Sequence, residues 1–171
     1  GTLPDTDNPE TLLLNAKECA ENAMIVDLLR NDIAMNCTDT SVIVTALNVV
    51  EHYEGLYHLV SAIEGQLRPD RDALDLLRDA FPGGSISGAP KIRACQIIEE
   101  LEPVSRGFYT GTLFWIGFNG DMDSNILIRT LVTTPDTITL HSGGGIVADS
   151  IPQAEVDETW VKATKIMESL S

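Results

Sequence analysis

Basic residues, cysteines and long apolar runs are scarce in this sequence, and each shortage excludes a class of protein. The 171 residues include 11 basic and 26 acidic side chains, which gives a formal net charge of -15 at pH 7. Nucleic-acid-binding proteins usually present a basic face, so this balance excludes nucleic acid as a partner. Three cysteines without C-x-x-C spacing indicate a reduced, cytoplasmic protein and argue against a disulfide scaffold. No apolar run reaches the ~18 residues of a membrane helix, so we expect no membrane partner.

The remaining composition is that of a globular protein whose ligand sites must be built locally. A hydrophobic fraction of 43% over this length predicts one domain with a real core. Because the chain is acidic, an anionic substrate would have to be held by a cation, by single Arg or Lys side chains, or by backbone N–H groups. Taken alone, the acidity is explained more simply by solubility.

Apolar periodicity and turn residues predict an alternation of helices and hairpins. In chain order they predict a loose segment over 1–8, a helix over 9–34 with Asn8 as its N-cap, a hairpin of strands near 42–47 and 57–67, a helix from about 70 to 81, a loop over 82–90, a helix over 91–101, strands over 108–118, 124–133 and 137–142, and a closing helix over 152–170. The last three strands form a meander with turns at Asn119-Gly120 and Pro135-Asp136. Such short hairpin loops exclude parallel crossovers, so the predicted fold class is α+β, with antiparallel sheets and flanking helices.

Two glycine-rich segments invite comparison with nucleotide-binding motifs, and both fail it. In the segment 83–91, Gly88 is followed by Ala89-Pro90 and not by the Lys-Ser/Thr of a phosphate-binding loop. After the segment 143–148 only one helix remains, which is too little for a dinucleotide fold. The three glycines at 143–145 still allow backbone N–H groups to approach a carboxylate closely. The alternative is a plain turn between strand and helix.

Two pairs of glutamates lie three residues apart in predicted helices, so each pair shares one helix face. The pairs are Glu18 with Glu21 and Glu155 with Glu158. Two such helices could meet around a hard divalent cation, and oxygen ligands without a cluster of His or Cys favour Mg²⁺. In an acidic chain, however, such pairs more often lie on a solvated face, so spacing alone leaves both interpretations open.

Three basic or titratable side chains stand out, each with two interpretations. Arg129 lies in an apolar run of a predicted strand, where it either pairs with a buried acid or binds an anionic ligand. Lys162 follows Glu158 by four residues and could form a surface ion pair with it. His58 lies in a predicted strand, as a general acid or as a structural histidine.

Five segments in a fixed order carry a more specific signal. They are Ala20 to Asp32 (AENAMIVDLLRND), Phe81 to Lys91 (FPGGSISGAPK), Met122-Asp123 with Ile128-Arg129-Thr130, Gly143 to Ser150 (GGGIVADS), and Glu155 to Thr159. Together they resemble the chorismate-utilising (chorismate-binding) enzyme family, which includes anthranilate, aminodeoxychorismate, isochorismate and salicylate synthases. The resemblance covers essentially the whole chain and implies the α+β fold of that family, chorismate as substrate and Mg²⁺ as cofactor.

The resemblance also implies a role for individual residues. The direct metal ligands would be Glu21 and Glu158, with Glu18 and Glu155 supporting them. The groups that hold the enolpyruvyl carboxylate would be Arg129, Tyr109 and the amides of Gly143, Gly144 and Gly145. Near the rest of the substrate would lie Lys162 (ring carboxylate or metal shell), His58 (departing ring hydroxyl) and Ser85.

Within the family, the run Gly83-Gly84-Ser85-Ile86 is similar to the aminodeoxychorismate branch, whereas the anthranilate branch more often has Ala-Gly-Thr-Leu. The first branch replaces the C4 hydroxyl of chorismate by an amino group, with ammonia from a glutamine amidotransferase component. The alternatives are anthranilate synthase component I and a non-catalytic module with a chorismate-binding-like fold.

The first residues match the end of a Pro-Ile-Lys-Gly-Thr motif at Gly1-Thr2. In the aminodeoxychorismate branch that Lys is the proposed nucleophile, and the anthranilate branch has Ala there; the position falls directly before Gly1. The resemblance therefore implies that residues 1–171 are the C-terminal half of a catalytic domain, without the general acid and the N-terminal half. We expect such a half to be inactive alone and, because it exposes apolar surface and sheet edges, to form a homo-oligomer.

Overall fold

A computed structural model describes residues 2–170, except for the side chain of Lys165. Its elements are β1 (Thr2–Pro4), α1 (Glu10–Leu14), α2 (Ala16–Ala34), β2 (Ile43–Tyr53), β3 (Leu56–Glu64), α3 (Ala73–Ala80), α4 (Gly84–Ser87), α5 (Lys91–Leu101), β4 (Thr112–Ile116), β5 (Met122–Ile126), β6 (Leu131–Thr133), β7 (Ile138–Leu140) and α6 (Pro152–Glu168). All strand pairs between these elements are antiparallel, which confirms the α+β class. The chain divides into two compact units, Gly1–Gly84 and Ser85–Ser171.

The first unit packs α1 and α2 against a three-stranded sheet in the order β1-β3-β2. The β2–β3 hairpin confirms the predicted one and is longer than expected. The segment expected to be loose contains β1, in which Thr2 pairs with His58 of β3. The buried apolar side chains of this unit are Leu12, Val26, Cys37 and Leu59. All three cysteines of the chain are free thiols.

The single helix predicted over 9–34 is wrong, because the structure breaks it at Asn15. This residue adopts an extended ψ of 95°, and its side chain accepts hydrogen bonds from the backbone N–H groups of Lys17 (3.1 Å) and Glu18 (3.3 Å). An Asn that caps a new N-terminus competes with continuation of the preceding helix. Glu18 therefore lies in the first turn of α2 and not in the middle of a longer helix.

A bulge in β2 adjusts the hairpin next to helix α2. The pairing register shifts between Val44 and Ala46 and again between Ala46 and Val49. Asn48 lies in this irregular stretch with a left-handed φ of 52°, and its backbone N–H donates to the Ser61 hydroxyl at 3.0 Å. Bulges of this kind re-aim side chains and are common beside functional sites.

The second unit contains α5, two separate two-stranded sheets, and α6. The predicted three-stranded meander is wrong, because β5 ends at Ile126 and β6 begins at Leu131. Arg129 between them has a left-handed φ of 51°, which interrupts an extended strand. The strand predicted over 108–118 is likewise shortened to β4, because residues 107–110 form turns and Thr110 has a φ of 65°. The turns at 119–120 and 135–136 join the strand pairs as predicted.

Large apolar side chains are exposed in this unit. On the β4–β5 hairpin, Leu113 is 65% exposed, Trp115 58%, and Phe118 fully. Among the described residues, no helix is both long and apolar enough to cross a membrane.

Candidate functional site

The glycine segment 143–145 links β7 to α6, and side chains from two directions approach it closely. A Cβ on Gly143 would stand 3.0 Å from the hydroxyl oxygen of Tyr109. A Cβ on Gly144 would stand 3.3 Å from Oε2 of Glu155 and 3.8 Å from Nζ of Lys162. Neither glycine has a left-handed φ, so close approach and not backbone conformation favours glycine at both positions. Gly145 has no atom within 4 Å of its Cβ position.

Helix α6 carries the second predicted glutamate pair, Glu155 and Glu158, close to the glycine segment. Nζ of Lys162 lies 2.6 Å from Oε1 of Glu158 and donates to the carbonyl oxygen of Gly143 at 3.3 Å. The Lys162 side chain is 30% exposed and that of Glu158 is 55% exposed, so the ion pair predicted from spacing is present, with its lysine end half-buried. Glu155 accepts a hydrogen bond from the Ser150 hydroxyl at 2.6 Å. The structure thus brings Tyr109, the glycines, both glutamates and the lysine of this unit together.

Two side chains contact the ring of Tyr109. The ring stacks on His141 with centroids 5.6 Å apart, and the Arg106 guanidinium lies 5.8 Å from its centroid. Arg106 donates two hydrogen bonds to Glu102, at 2.6 and 2.8 Å, and one to Thr110 at 3.2 Å. The bonds between Arg106 and Glu102 lower the pKa of the Glu102 carboxyl and raise the pKa of Arg106. A cavity of about 170 Å³ opens beside Tyr109, Arg106 and His141.

The sequence predicted Arg129 within a strand, but the residue lies in the exposed connection between β5 and β6. No ion pair joins its guanidinium to a side chain described between Thr2 and Leu170. A non-glycine residue with left-handed φ stores backbone strain, which tends to occur at ligand-binding positions. Of the two interpretations offered by the sequence, the buried acid is therefore excluded for the described residues.

Glu18 and Glu21 of the first unit line one cavity of about 280 Å³ between α2 and β3. Its β3 wall is formed by Ser61 and Ile63. Asn22 fixes the helix to that strand, because its side chain donates to the carbonyl oxygen of Leu59 (3.3 Å) and accepts from the Ser61 hydroxyl (2.6 Å). Lys17 pairs with Glu21 at 3.8 Å on an exposed surface.

His58 does not line the cavity of the two glutamates. Successive side chains of a strand point to opposite faces, so His58 lies on the other face of β3 from Ser61 and Ile63. There its Nδ1 lies 3.2 Å from the Thr2 hydroxyl, and its ring meets the edge of Tyr53 at 5.6 Å. Tyr53 in turn donates to Glu51 at 2.6 Å, which raises the pKa of the Tyr53 phenol.

The segment predicted as a loop over 82–90 contains the single turn α4, and Ser85 is exposed within it. Gly84, the residue before Ser85, is buried against Leu28 of α2. A Cβ added to Gly84 would lie 2.9 Å from Cγ of Leu28. Gly1, with the motif position before it, lies outside the described residues.

Both glutamate pairs fit a hard cation in their chemistry, because their donors are carboxylate oxygens without sulfur or imidazole. Glu18 and Glu21 also line a cavity that a small ion could enter, whereas Glu155 lies beside the glycine segment, with its Oε2 3.3 Å from the Cβ position of Gly144. Within the residues that the structure describes, no group of three or more His, Cys, Asp or Glu side chains is placed to hold a metal. The structure therefore supplies two oxygen pairs, each within its own unit.

Three residues that organise these groups were not predicted from the sequence. Ser150 bonds Glu155, Asn22 anchors the helix that carries Glu21, and Arg106 supports Tyr109. Ser150 and Asn22 lie inside two of the five motifs, so their positions were visible but not their partners. Arg106 had one sequence signal, its membership of a small set of 11 basic residues.

Comparison with known proteins assigns the family. Residues 1–168 match the chorismate binding enzyme family. Aminodeoxychorismate synthase component 1 of Escherichia coli K12 is 48% identical over 177 residues, which covers 99% of this chain and 39% of that protein. Anthranilate synthase component 1 of Aquifex aeolicus is 48% identical over 161 residues, which covers 94% of this chain and 33% of that protein.

A solved structure agrees with these sequence relatives. Anthranilate synthase component I from Streptococcus pneumoniae TIGR4 superimposes with a TM-score of 0.88 at 43% identity, and the match covers 95% of this chain and 37% of that one. The fold and the sequence matches thus place the chain in the class of chorismate-utilising enzymes. The chain belongs to the chorismate-binding enzyme family, and it spans 33–39% of the length of the two relatives named above.

Proposed function

We propose that the complete protein containing this chain is the chorismate-aminating component I of an aminodeoxychorismate synthase. It converts chorismate and ammonia into 4-amino-4-deoxychorismate and water, and Mg²⁺ is required. The observation that carries the proposal is the glycine segment, which the Tyr109 hydroxyl approaches at Gly143 and the Glu155 and Lys162 side chains approach at Gly144. Residues 1–171 then form the C-terminal part of the catalytic domain.

The second unit is suited to hold an anionic substrate. The Tyr109 hydroxyl and the amides of the glycine segment are hydrogen-bond donors, and such backbone donors bind carboxylates. Arg129 adds a cation without an ion pair among the described side chains, and its guanidinium matches a carboxylate bidentately. These groups bind the enolpyruvyl carboxylate, and the support of Tyr109 by Arg106 and His141 keeps its ring in place.

The four glutamates hold the metal in this proposal, with Glu21 and Glu158 as direct ligands and Glu18 and Glu155 in support. Bound Mg²⁺ supplies stabilisation of the negative charge on the ring carboxylate as the C4 hydroxyl departs. Lys162 keeps Glu158 beside the glycine segment, because it contacts the Glu158 carboxylate and the Gly143 carbonyl at once. Its charge also attracts the ring carboxylate.

His58 lies near the departing ring hydroxyl in this proposal, on the face of β3 opposite Ser61 and Ile63. The contact of 3.2 Å between its Nδ1 and the Thr2 hydroxyl orients the ring. Ser85, exposed on α4, contacts the substrate. Ammonia comes from a glutamine amidotransferase partner, and the pathway position of such an enzyme is cytoplasmic synthesis of a folate precursor.

Anthranilate synthase component I is the second candidate, because a relative of that name matches at the same 48% identity as the aminodeoxychorismate relative. The run Gly83-Gly84-Ser85-Ile86 favours the aminodeoxychorismate branch. The two reactions differ in their products: formation of anthranilate releases the enolpyruvyl side chain of chorismate as pyruvate, whereas 4-amino-4-deoxychorismate retains that side chain.

Pyruvate release therefore discriminates the candidates. The complete protein is incubated with chorismate, Mg²⁺ and an ammonium salt, and chorismate consumption, pyruvate and anthranilate fluorescence are followed together. We expect consumption without pyruvate or fluorescence. Equimolar pyruvate with fluorescence would assign the anthranilate reaction. No consumption at all, with chorismate still bound in calorimetry, would indicate a non-catalytic chorismate-binding module.

A further inference from the structure

Ser150 occupies a turn that fixes its hydroxyl group immediately before α6. Its backbone N–H donates to the carbonyl oxygen of Val147 at 3.0 Å, and the N–H of Val147 donates to the Ser150 hydroxyl oxygen at 3.0 Å. A serine hydroxyl has one proton. Because the oxygen already accepts from Val147, that proton is directed elsewhere, and it lies on the line to Oε1 of Glu155 at 2.6 Å.

This hydrogen bond decides which oxygen of Glu155 remains available. Oε1 is engaged by Ser150, whereas Oε2 lies 3.3 Å from the Cβ position of Gly144 and therefore faces the glycine segment. Nζ of Lys162 approaches the same Cβ position at 3.8 Å. The free oxygen of Glu155 is thus aimed at the place where the proposed ligand groups of the second unit meet.

The bond is of the strong kind. Hydrogen bonds from a hydroxyl to an ionised carboxylate are short, at about 2.5–2.7 Å, and roughly twice as strong as neutral ones. Glu155 is half-buried and not fully solvated, so water competes less for the same oxygen. Partners that orient a ligating carboxylate typically change metal affinity by about 10- to 100-fold when they are removed.

We propose that Ser150 is the positioning residue of Glu155: it holds one carboxylate oxygen so that the other faces the glycine segment and stays available to support the bound metal. The inference rests on the proposed function, in which Glu155 supports the metal. Ser150 contacts neither substrate nor metal, and it acts only through Glu155.

The test compares Mg²⁺ affinity of the complete protein, measured by calorimetry, for Ser150→Ala and for a matched serine. Ser142 serves as the match, because its half-buried hydroxyl also donates to α6, at 3.0 Å, but to the backbone carbonyl of Thr159. We expect Ser150→Ala to weaken Mg²⁺ binding by about 10- to 100-fold and Ser142→Ala to leave it within about twofold of the wild type, since no ligand is displaced. Ser150→Thr, which keeps the hydroxyl, should restore most of the affinity.

A cycle with Glu155→Gln separates positioning from general damage to the fold. If Ser150 acts through Glu155, Ser150→Ala adds no further loss of Mg²⁺ affinity to a protein that already carries Glu155→Gln. Equal affinities of Ser150→Ala and wild type, an equal loss in Ser142→Ala, or an additive cycle would each overturn the proposal. A wild-type protein that binds no Mg²⁺ would overturn the proposed metal function and this inference together, whereas a wild-type protein that binds it isolates the role of Ser150.

Discussion

The contact between Gly143 and Tyr109 gives a sharp test of how the substrate-binding groups are packed. An ideal Cβ on residue 143 would lie 3.0 Å from the Tyr109 hydroxyl oxygen and 4.0 Å from its Cζ atom. The first distance is a few tenths of an ångström too short for comfortable contact, and the second is ordinary. Because the φ of Gly143 is not left-handed, alanine meets a packing cost and no backbone strain. Overpacking of this kind costs about 1–3 kcal/mol.

Gly143→Ala should therefore lower the free energy of unfolding by about 1–2 kcal/mol. The same substitution in a Tyr109→Phe background should cost much less, because the atom that clashes is gone. Gly145→Ala is the packing control: nothing lies within 4 Å of its Cβ position, so loss of chain entropy in the unfolded state should raise stability by about 0.4–1 kcal/mol. Urea unfolding measures all four variants. An equal loss with Tyr and Phe at position 109, or a loss in Gly145→Ala, would refute the reasoning.

Other contacts give three further predictions. Hydrogen bonds from Arg106 lower the pKa of Glu102 from its ordinary 4.5, so the stabilisation they give is complete above pH 4.5 and is lost as the pH falls through the lowered pKa. Glu102→Gln should therefore lower the free energy of unfolding at neutral pH, and its difference from wild type should shrink in unfolding curves measured at acid pH. A difference that does not depend on pH would contradict the pairing. Gly84→Ala should cost about 1–3 kcal/mol in urea unfolding, because its Cβ would lie 2.9 Å from Cγ of Leu28; unchanged stability would show that this packing is wrong. The exposed apolar face of the β4–β5 hairpin should make the isolated chain self-associate, and a monodisperse monomer in light scattering would contradict this.

Local turn and pairing signals predicted much of the fold. The β2–β3 hairpin, the helix α3 and the turn at Gly120 all occur where the sequence predicted them. Asp72 is the N-cap of α3, and Gly120 has a φ of 88°. Two of the failures share one cause, which is a polar residue that competes with a continuous pattern. Asn15 caps a new helix inside an apolar period, and Arg129 adopts a left-handed φ inside an apolar strand run. Neither backbone choice is encoded in hydrophobic periodicity.

For the candidate site, residue types and order were predictable, whereas partners were not. Spacing placed Glu155, Glu158 and Lys162 on one helix, and the structure adds that the lysine also reaches the carbonyl of Gly143. The bond from Ser150 to Glu155 depends on the turn before α6, which spacing does not describe. His58 was correctly placed in a strand, but the alternation of β3 directs it away from the cavity of the first unit's glutamates.

The central claim is that these carboxylates hold the Mg²⁺ of a chorismate-utilising enzyme, and Mg²⁺ titration of the complete protein tests it most directly. Glu21→Gln and Glu158→Gln should each weaken Mg²⁺ binding by at least about 10-fold. Asp157→Asn removes the same charge from α6 beside Glu158, but its carboxylate bonds Gln153 at 2.8 Å on the exposed side, so it should leave the affinity unchanged. Unaltered affinity in both glutamate variants, or an equal loss in Asp157→Asn, would contradict the account.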